Sequence, residues 1–187
     1  MSPESCSRLP RTALLSVATA MLLHGLITGF FYAYSSSVIF GLDVIDPRHA
    51  ISAMQGINRE VRNMVFAPAF FGTPVASLIA AAALYASGAH HAASAFFFAA
   101  LIYIFGAMIP TMSINVPMNE ALAIVHIPDS VDAAREVWAS YSTRWSFWNV
   151  MRTIGSSAAL LIAAFGIYLT AAANRFNSTR GAAMAGA

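Results

Sequence analysis

The chain of 187 residues contains no lysine and a single cysteine, and only 10% of it is charged. Each shortage narrows what the protein can be. One cysteine, Cys6, can form neither an intrachain disulfide nor a cysteine metal cluster. A charged fraction far below the roughly 25% of ordinary soluble domains, beside 58% hydrophobic residues, makes lipid the expected solvent. Arginine alone carries the basic charge, and the ten arginines and eight acids leave three charge-free stretches, 12–42, 63–119 and 153–174. The net charge is only +2, with most arginines set among acids or at the edges of apolar runs, which argues against nucleic acid as a partner. A glycine-rich nucleotide loop is missing as well. Gly25, Gly29 and Gly41 follow no strand, and nothing reads as a βαβ unit, which argues against a flavin or nicotinamide fold.

A hydrocarbon core about 30 Å thick takes roughly 20 helical residues, because each advances only about 1.5 Å. The outer charge-free stretches fit one crossing each. The middle one fits two, with a polar turn at Ser87, Gly88, Ala89, His90 and His91. The expected architecture is all-α: an integral membrane four-helix bundle in one domain, 13–173, with spans near 13–40, 65–86, 92–115 and 153–173. An N-terminal tail, 1–12, and a flexible C-terminal tail, 174–187, flank it. Arg8 and Arg11 give the first apolar run the basic start of a secretory signal, yet the run is longer than a usual h-region and reads as a span. Four crossings put both termini on one side and 42–63 and 116–152 on the other, as two extramembrane helical segments. Arg8, Arg11, Arg175 and Arg180 face only Glu4 on the terminal side, which suits a multi-pass protein of the plasma membrane with both termini cytoplasmic; six arginines across the membrane pull the other way. Pro68, Pro74 and Pro110 are expected to kink their spans. Gly25 and Gly29 form a small-xxx-small pair that reads as a helix packing contact.

The first extramembrane segment starts a helix at Pro47, in which Ile51, Met54, Asn58, Val61 and Arg62 recur at three- and four-residue steps. The second opens with Asn115, Pro117 and Asn119, breaks at Pro128 and regains helical periodicity from about Val131. At about 100° per residue, Trp138, Tyr141, Trp145, Trp148, Asn149 and Arg152 share one stripe, with Arg144 at its border. An interfacial aromatic belt has the same composition, but a belt repeats at the other span ends, and all three tryptophans are here. Arginine and asparagine in the stripe suit a pocket with a flat apolar wall and fixed donors.

His24 is the one ionisable group well inside a span, so it is either functional or hydrogen-bonded to a neighbouring helix. The five histidines form no ligand pair at i and i+4. No cofactor is expected, while a metal or haem held by histidines distant in sequence stays open. Asn58, Arg59, Arg62 and Asn63 from one segment, with Asn115, Asn119, Arg144, Asn149 and Arg152 from the other, suit stabilisation of an oxyanion away from water. The same groups could simply tie two loops to the bundle end. A general base has to come from Glu120, Asp43, His126 or His24, of which Glu120 stands beside the asparagine pair.

Four stretches carry a resemblance: FYAYSSSVIFGL at 31–42, AISAMQGINREVRN at 50–63, NVPMNEAL at 115–122, and the spaced W, Y, RW, WN, R pattern between 138 and 152. Together they resemble the small membrane proteins of the anthrone oxygenase family, although Phe40 and Met64 stand where that family commonly has proline. The resemblance implies four membrane helices and, for the fungal pathway members, oxidation of a polyketide anthrone to an anthraquinone. By match to the motifs it points to Gln55, Asn58, Arg59, Asn115, Pro117, Asn119, Trp138, Tyr141, Arg144, Trp145, Trp148, Asn149 and Arg152. The expected partners are the bilayer and a hydrophobic aromatic small molecule that stacks on Trp138, Trp145 and Trp148 while Arg59, Arg144, Arg152, Asn115 and Asn119 stabilise its anion. A membrane oxygenase without a cofactor is the first reading. A non-catalytic protein that binds a lipid-soluble ligand or a protein partner is the alternative, and a transporter ranks last because the two halves look dissimilar. The sequence sets no oligomeric state.

Overall fold

The computed structural model describes residues 9–185, with side chains through Leu169 and at Ala171; residues 1–8 and 186–187 of the two expected tails, with Cys6, lie outside them. Every regular element among the described residues is helical. Helix α1 runs Arg11–Asp43, α2 Pro47–Glu60, α3 Phe66–Ala86, α4 His90–Ala123 and α5 Val131–Ala185. Arg11–Asp43, Phe66–Ala86, His90–Ala123 and Val131–Leu169 are long and apolar enough to cross a bilayer, and the chain is a multi-pass membrane protein. The polar turn stands where the sequence puts it. Gly88 takes φ 78°, and the N–H groups of Gly88 and Ala89 return to Tyr85 and Leu84 to close α3.

Around the bundle, α1 packs on α3 and α5, and α4 packs on the same two helices. Its interior is built from small residues, among them Ala20, Ala80, Ala99, Ala159 and Ala163, with Phe31, Phe70, Phe96 and Tyr103 between them. Leu15, Phe105 and Leu161 point outward, each about two-thirds exposed. In water so much apolar surface would drive association; in a bilayer it faces its solvent. Small interior residues let the backbones approach, which matters where lipid gives helices no hydrophobic reason to associate.

The closest approach is not at the expected glycines. A Cβ added at Gly25 or Gly29 would meet nothing within 4 Å, because both lie on the outer face of α1. At Gly155 of α5 it would stand 2.7 Å from the carbonyl oxygen of Gly106 in α4. Gly155→Ala is therefore expected to cost about 1–3 kcal/mol, the range for overpacking a tight contact, read as a lower melting temperature in detergent. Gly25→Ala and Gly29→Ala should leave it unchanged, and equal melting for all three variants would contradict the α4–α5 contact.

Two expectations about α4 and α5 need correction. NVPMNEAL does not open a separate segment: it forms the last turns of α4, and only 124–130 connect α4 to α5. Residues 174–185, read as a flexible tail, continue α5, since no proline follows Pro128 and alanine favours helix. The prolines of α4 leave a mark other than a simple kink. Wide π turns at Ile104–Met108 and Thr111–Asn115 each end two residues before a proline, Pro110 and Pro117. A widened turn moves the carbonyl that the proline ring would otherwise strike. A third π turn, Tyr34–Val38, lies in α1.

Helix α2 lies across one end of the bundle, against α5 and the end of α4. Asp46 caps it by accepting from the Arg48 backbone N–H at 2.9 Å and from the Arg48 guanidinium at 2.6 and 3.0 Å. Those guanidinium and backbone bonds hold the Asp46 carboxyl down to about 2. The buried face of α2, Ala50, Ile51 and Met54, meets Trp138, Tyr141 and Trp145 of α5 in a second core cluster.

Candidate functional site

The stripe on α5 is one face, as its spacing predicts, but it divides along its length into two environments. Toward its N-terminal end, Trp138 is buried under α2 and donates from Nε1 to Asp43 Oδ1 at 2.7 Å. One and two turns on, the Tyr141 hydroxyl and Trp145 Nε1 both donate to Asn119 Oδ1, each at 2.8 Å. Asn58 Nδ2 donates to the Tyr141 hydroxyl at 3.2 Å. This network locks α2, α4 and α5 together with its polar atoms satisfied. Gln55 is a strap of the same kind, donating to the Leu122 and Val125 carbonyls at 2.9 and 3.0 Å.

Beyond Trp145 the stripe opens on a cavity of about 510 Å³ between α1, α3, α4, α5 and the end of α2. Among the candidates, Asn58, Arg62, Asn63, Asn115, Asn119, Glu120, Trp145 and Arg152 line it, and Asn149 supports Arg152 from behind. Thr111, Asn115 and Asn119 reach it from successive turns of α4, where the π turn Thr111–Asn115 resets the helix face. Tyr34 reaches it from the first residue of the π turn in α1. Such turns often mark functional positions in helices.

Arg152 is the chemical centre of the cavity. It is 5% exposed, and its guanidinium carbon lies 4.7 Å from the Phe31 ring centroid and 5.2 Å from that of Trp145. Nη1 donates to Thr111 Oγ1 at 3.2 Å and Nη2 to Asn149 Oδ1 at 2.8 Å. Asn149 is itself fixed, donating to the Phe31 carbonyl at 3.0 Å and to Ser35 Oγ at 2.7 Å. Among the described residues no carboxylate pairs with Arg152, and its Nε has no partner. Asn115 Oδ1, also buried, has none either. A donor and an acceptor on residues lining one cavity are thus unmet. Each cation–π contact contributes about 2 kcal/mol or more when desolvated, and these contacts work against the several kcal/mol that taking an ion out of water costs. A buried cation with no carboxylate partner among the described residues is the pattern expected of a functional group in a membrane protein.

Besides Gln55, Tyr141 and Asn149, four further candidates do not line the cavity. Arg59, one residue past Asn58 and so about 100° around α2, is exposed and pairs with Glu60 at 3.3 Å. Arg144 is exposed for the same reason, one residue before Trp145. Trp138 is consumed by the α2 contact, and the half-buried Trp148 packs edge-on against Phe147. A wall of three stacked indoles is therefore corrected to one indole and the rings of the spans. Phe30, Phe31, Tyr34, Phe66 and Phe70 line the cavity; Phe31 and Tyr34 fall in the stretch FYAYSSSVIFGL, while the other three show only three- and four-residue spacing near the ends of apolar runs. His24 lies deeper: its Nε2 is 2.9 Å from Ser77 Oγ of α3, the helix-to-helix hydrogen bond that the sequence allowed.

Glu120 is the one carboxylate among the lining residues. It accepts from Arg62 Nη2 at 3.1 Å, joining the ends of α4 and α2, and it is more than half exposed. Among the described residues, no three His, Cys, Asp or Glu side chains group as metal ligands. The cavity therefore combines flat apolar walls, one buried guanidinium, unmet amide chemistry and a carboxylate open to water. Residues 63–162, more than half of the chain, match the family described as anthrone oxygenase. No curated protein and no solved structure matches the chain.

Proposed function

The chain belongs to the anthrone oxygenase family, and on that premise we propose that its cavity binds and oxidises an anthrone-like or related flat aromatic compound dissolved in the bilayer. The observation that carries this reading is Arg152, a buried cation between two aromatic rings, with no carboxylate partner among the described residues. An aromatic ketone that becomes an anion during reaction supplies what Arg152 lacks, and only at the point where charge develops. Phe31, Phe66, Phe70 and Trp145 provide the flat contacts for the rings.

In the proposed reaction Glu120 takes a proton from the central methylene of the anthrone, and Arg152 donates to the oxygen where the negative charge collects. The carbanion passes one electron to oxygen, and the resulting superoxide and carbon radical join in a new carbon–oxygen bond. A proton completes the hydroperoxide. Loss of the remaining methylene hydrogen as a proton, with cleavage of the oxygen–oxygen bond, gives the second carbonyl and water. Anthrone and oxygen thus become anthraquinone and water, and the electrons come from the substrate anion. Glu120, open to water, can release the proton it collects. The basic tails support a plasma-membrane placement with both termini cytoplasmic, which a reporter fused after Ala187 tests.

The deciding experiment is oxygen uptake by the purified protein with a panel of anthrones, before and after metal chelation. Equal moles of oxygen and anthrone should be consumed, with the rate unchanged by chelation. Binding without uptake would establish a ligand-binding protein instead, and uptake lost on chelation would refute a mechanism without metal.

A further inference from the structure

A second cavity of about 480 Å³ lies on the outer side of the first, in the groove between α1 and α3 beneath the end of α2. The two share a wall. Phe30, Tyr34 and Phe66 line both, with Val61 and Asn63 above them at the end of α2, and Phe30 lies 4.9 Å from Phe66 and 5.0 Å from Tyr34 between ring centroids. On its far side the groove is bounded by Leu26 and Ala69, and at its upper edge by Ile57 and Glu60. Leu26 is 55% exposed on a membrane-spanning helix, while Glu60 is exposed at the end of α2. The groove thus runs from charged surface to apolar surface, the boundary at which amphipathic rings settle in a bilayer.

We propose that this groove is the portal through which a flat, lipid-dissolved aromatic compound reaches Arg152, with Phe30 and Phe66 as its door. The wall is one aromatic layer thick. Its three rings are only partly buried, and ring contacts, with no side-chain hydrogen bond, hold them in place. A change of rotamer at Phe30 or Phe66 joins the two cavities without moving a helix. The occupant is the same class of compound on both sides: apolar over most of its surface, as Leu26 and Ala69 require, with one oxygen that ends at Arg152. A water-borne compound has no reason to pass this way, because the groove meets the bilayer.

This inference rests on the reading of the inner cavity as a ligand site, and the test separates the two. The probe is 9-anthracenemethanol, a flat, neutral, lipid-soluble fluorophore with one oxygen, mixed by stopped flow with the full chain in phosphatidylcholine vesicles. Leu26→Trp and Ala69→Trp add bulk to the groove from α1 and from α3, at residues that do not line the inner cavity. Both should slow association and dissociation by about tenfold or more, as expected when binding must wait for an obstructed step, and leave Kd unchanged. If both variants bind at wild-type rates while Met112→Trp, at the inner cavity, slows them, the portal is on the other side. If the wild-type chain does not bind the probe at all, the ligand-site reading fails and the portal with it. Unchanged rates in all three variants overturn the portal alone.

Discussion

Replacing Arg152 with methionine is expected to lower kcat for anthrone oxidation by about 10²- to 10³-fold, the loss typical of removing one donor to a developing oxyanion. KM should change much less, because the bound anthrone is still neutral and methionine keeps contact with Phe31 and Trp145. The reason lies in when the charge is needed. In the resting cavity the guanidinium has two hydrogen bonds, two ring faces and an unpartnered Nε. Only an anion formed during reaction completes its environment, so its contribution belongs to the transition state rather than to ground-state binding.

Stability makes the same variant more informative. A buried charge without a counter-ion destabilises a fold, so Arg152→Met should melt at or above the wild-type temperature. A purely structural arginine would show the opposite, since its loss would free Asn149 and Thr111 and loosen α4 from α5. Arg152→Lys, which keeps the charge but not the planar fork, should recover part of the rate. A variant that loses stability while its remaining folded fraction turns over normally would remove Arg152 from the mechanism.

The difference between stripe and cavity shows what this sequence could and could not disclose. Four spans were legible because charge is so scarce that its absence draws their edges, and Gly88 marks the turn between the middle two. The α5 stripe was legible because no proline interrupts it, so spacing alone set Trp145, Asn149 and Arg152 on one face. Where that face divides was not legible. It depends on how far α2 reaches across the bundle end, and α2 covers Trp138 and Tyr141 but stops short of Arg152. The π turns hid the other walls. Each adds a residue to a turn and rotates the rest of its helix, so regular spacing misplaces the faces of α1 and α4 beyond Tyr34 and Thr111. Phe30, Phe66 and Phe70 were concealed for a different reason: in an apolar span, a ring that faces a cavity and a ring that faces lipid look alike.

Glu120→Gln is expected to lower kcat by about 10²- to 10⁴-fold, the usual contribution of a positioned general base, without affecting the fold. The Arg62–Glu120 pair lies at the surface, with both side chains more than half exposed. Such pairs are worth about 0–1 kcal/mol, so its loss should hardly move the melting temperature. The other bases that the sequence offered are less well placed. Asp43 accepts the indole N–H of Trp138, His24 is sealed beneath the cavity floor against Ser77, and His126 is in the exposed connection after α4. Glu120→Ala with added formate provides the more specific test, because a small carboxylate can enter the vacated position and take the proton. Partial recovery with formate, and none with chloride at equal ionic strength, is the expected outcome. Full activity in Glu120→Gln would mean that the methylene proton leaves by another route, and would remove Glu120 from the mechanism.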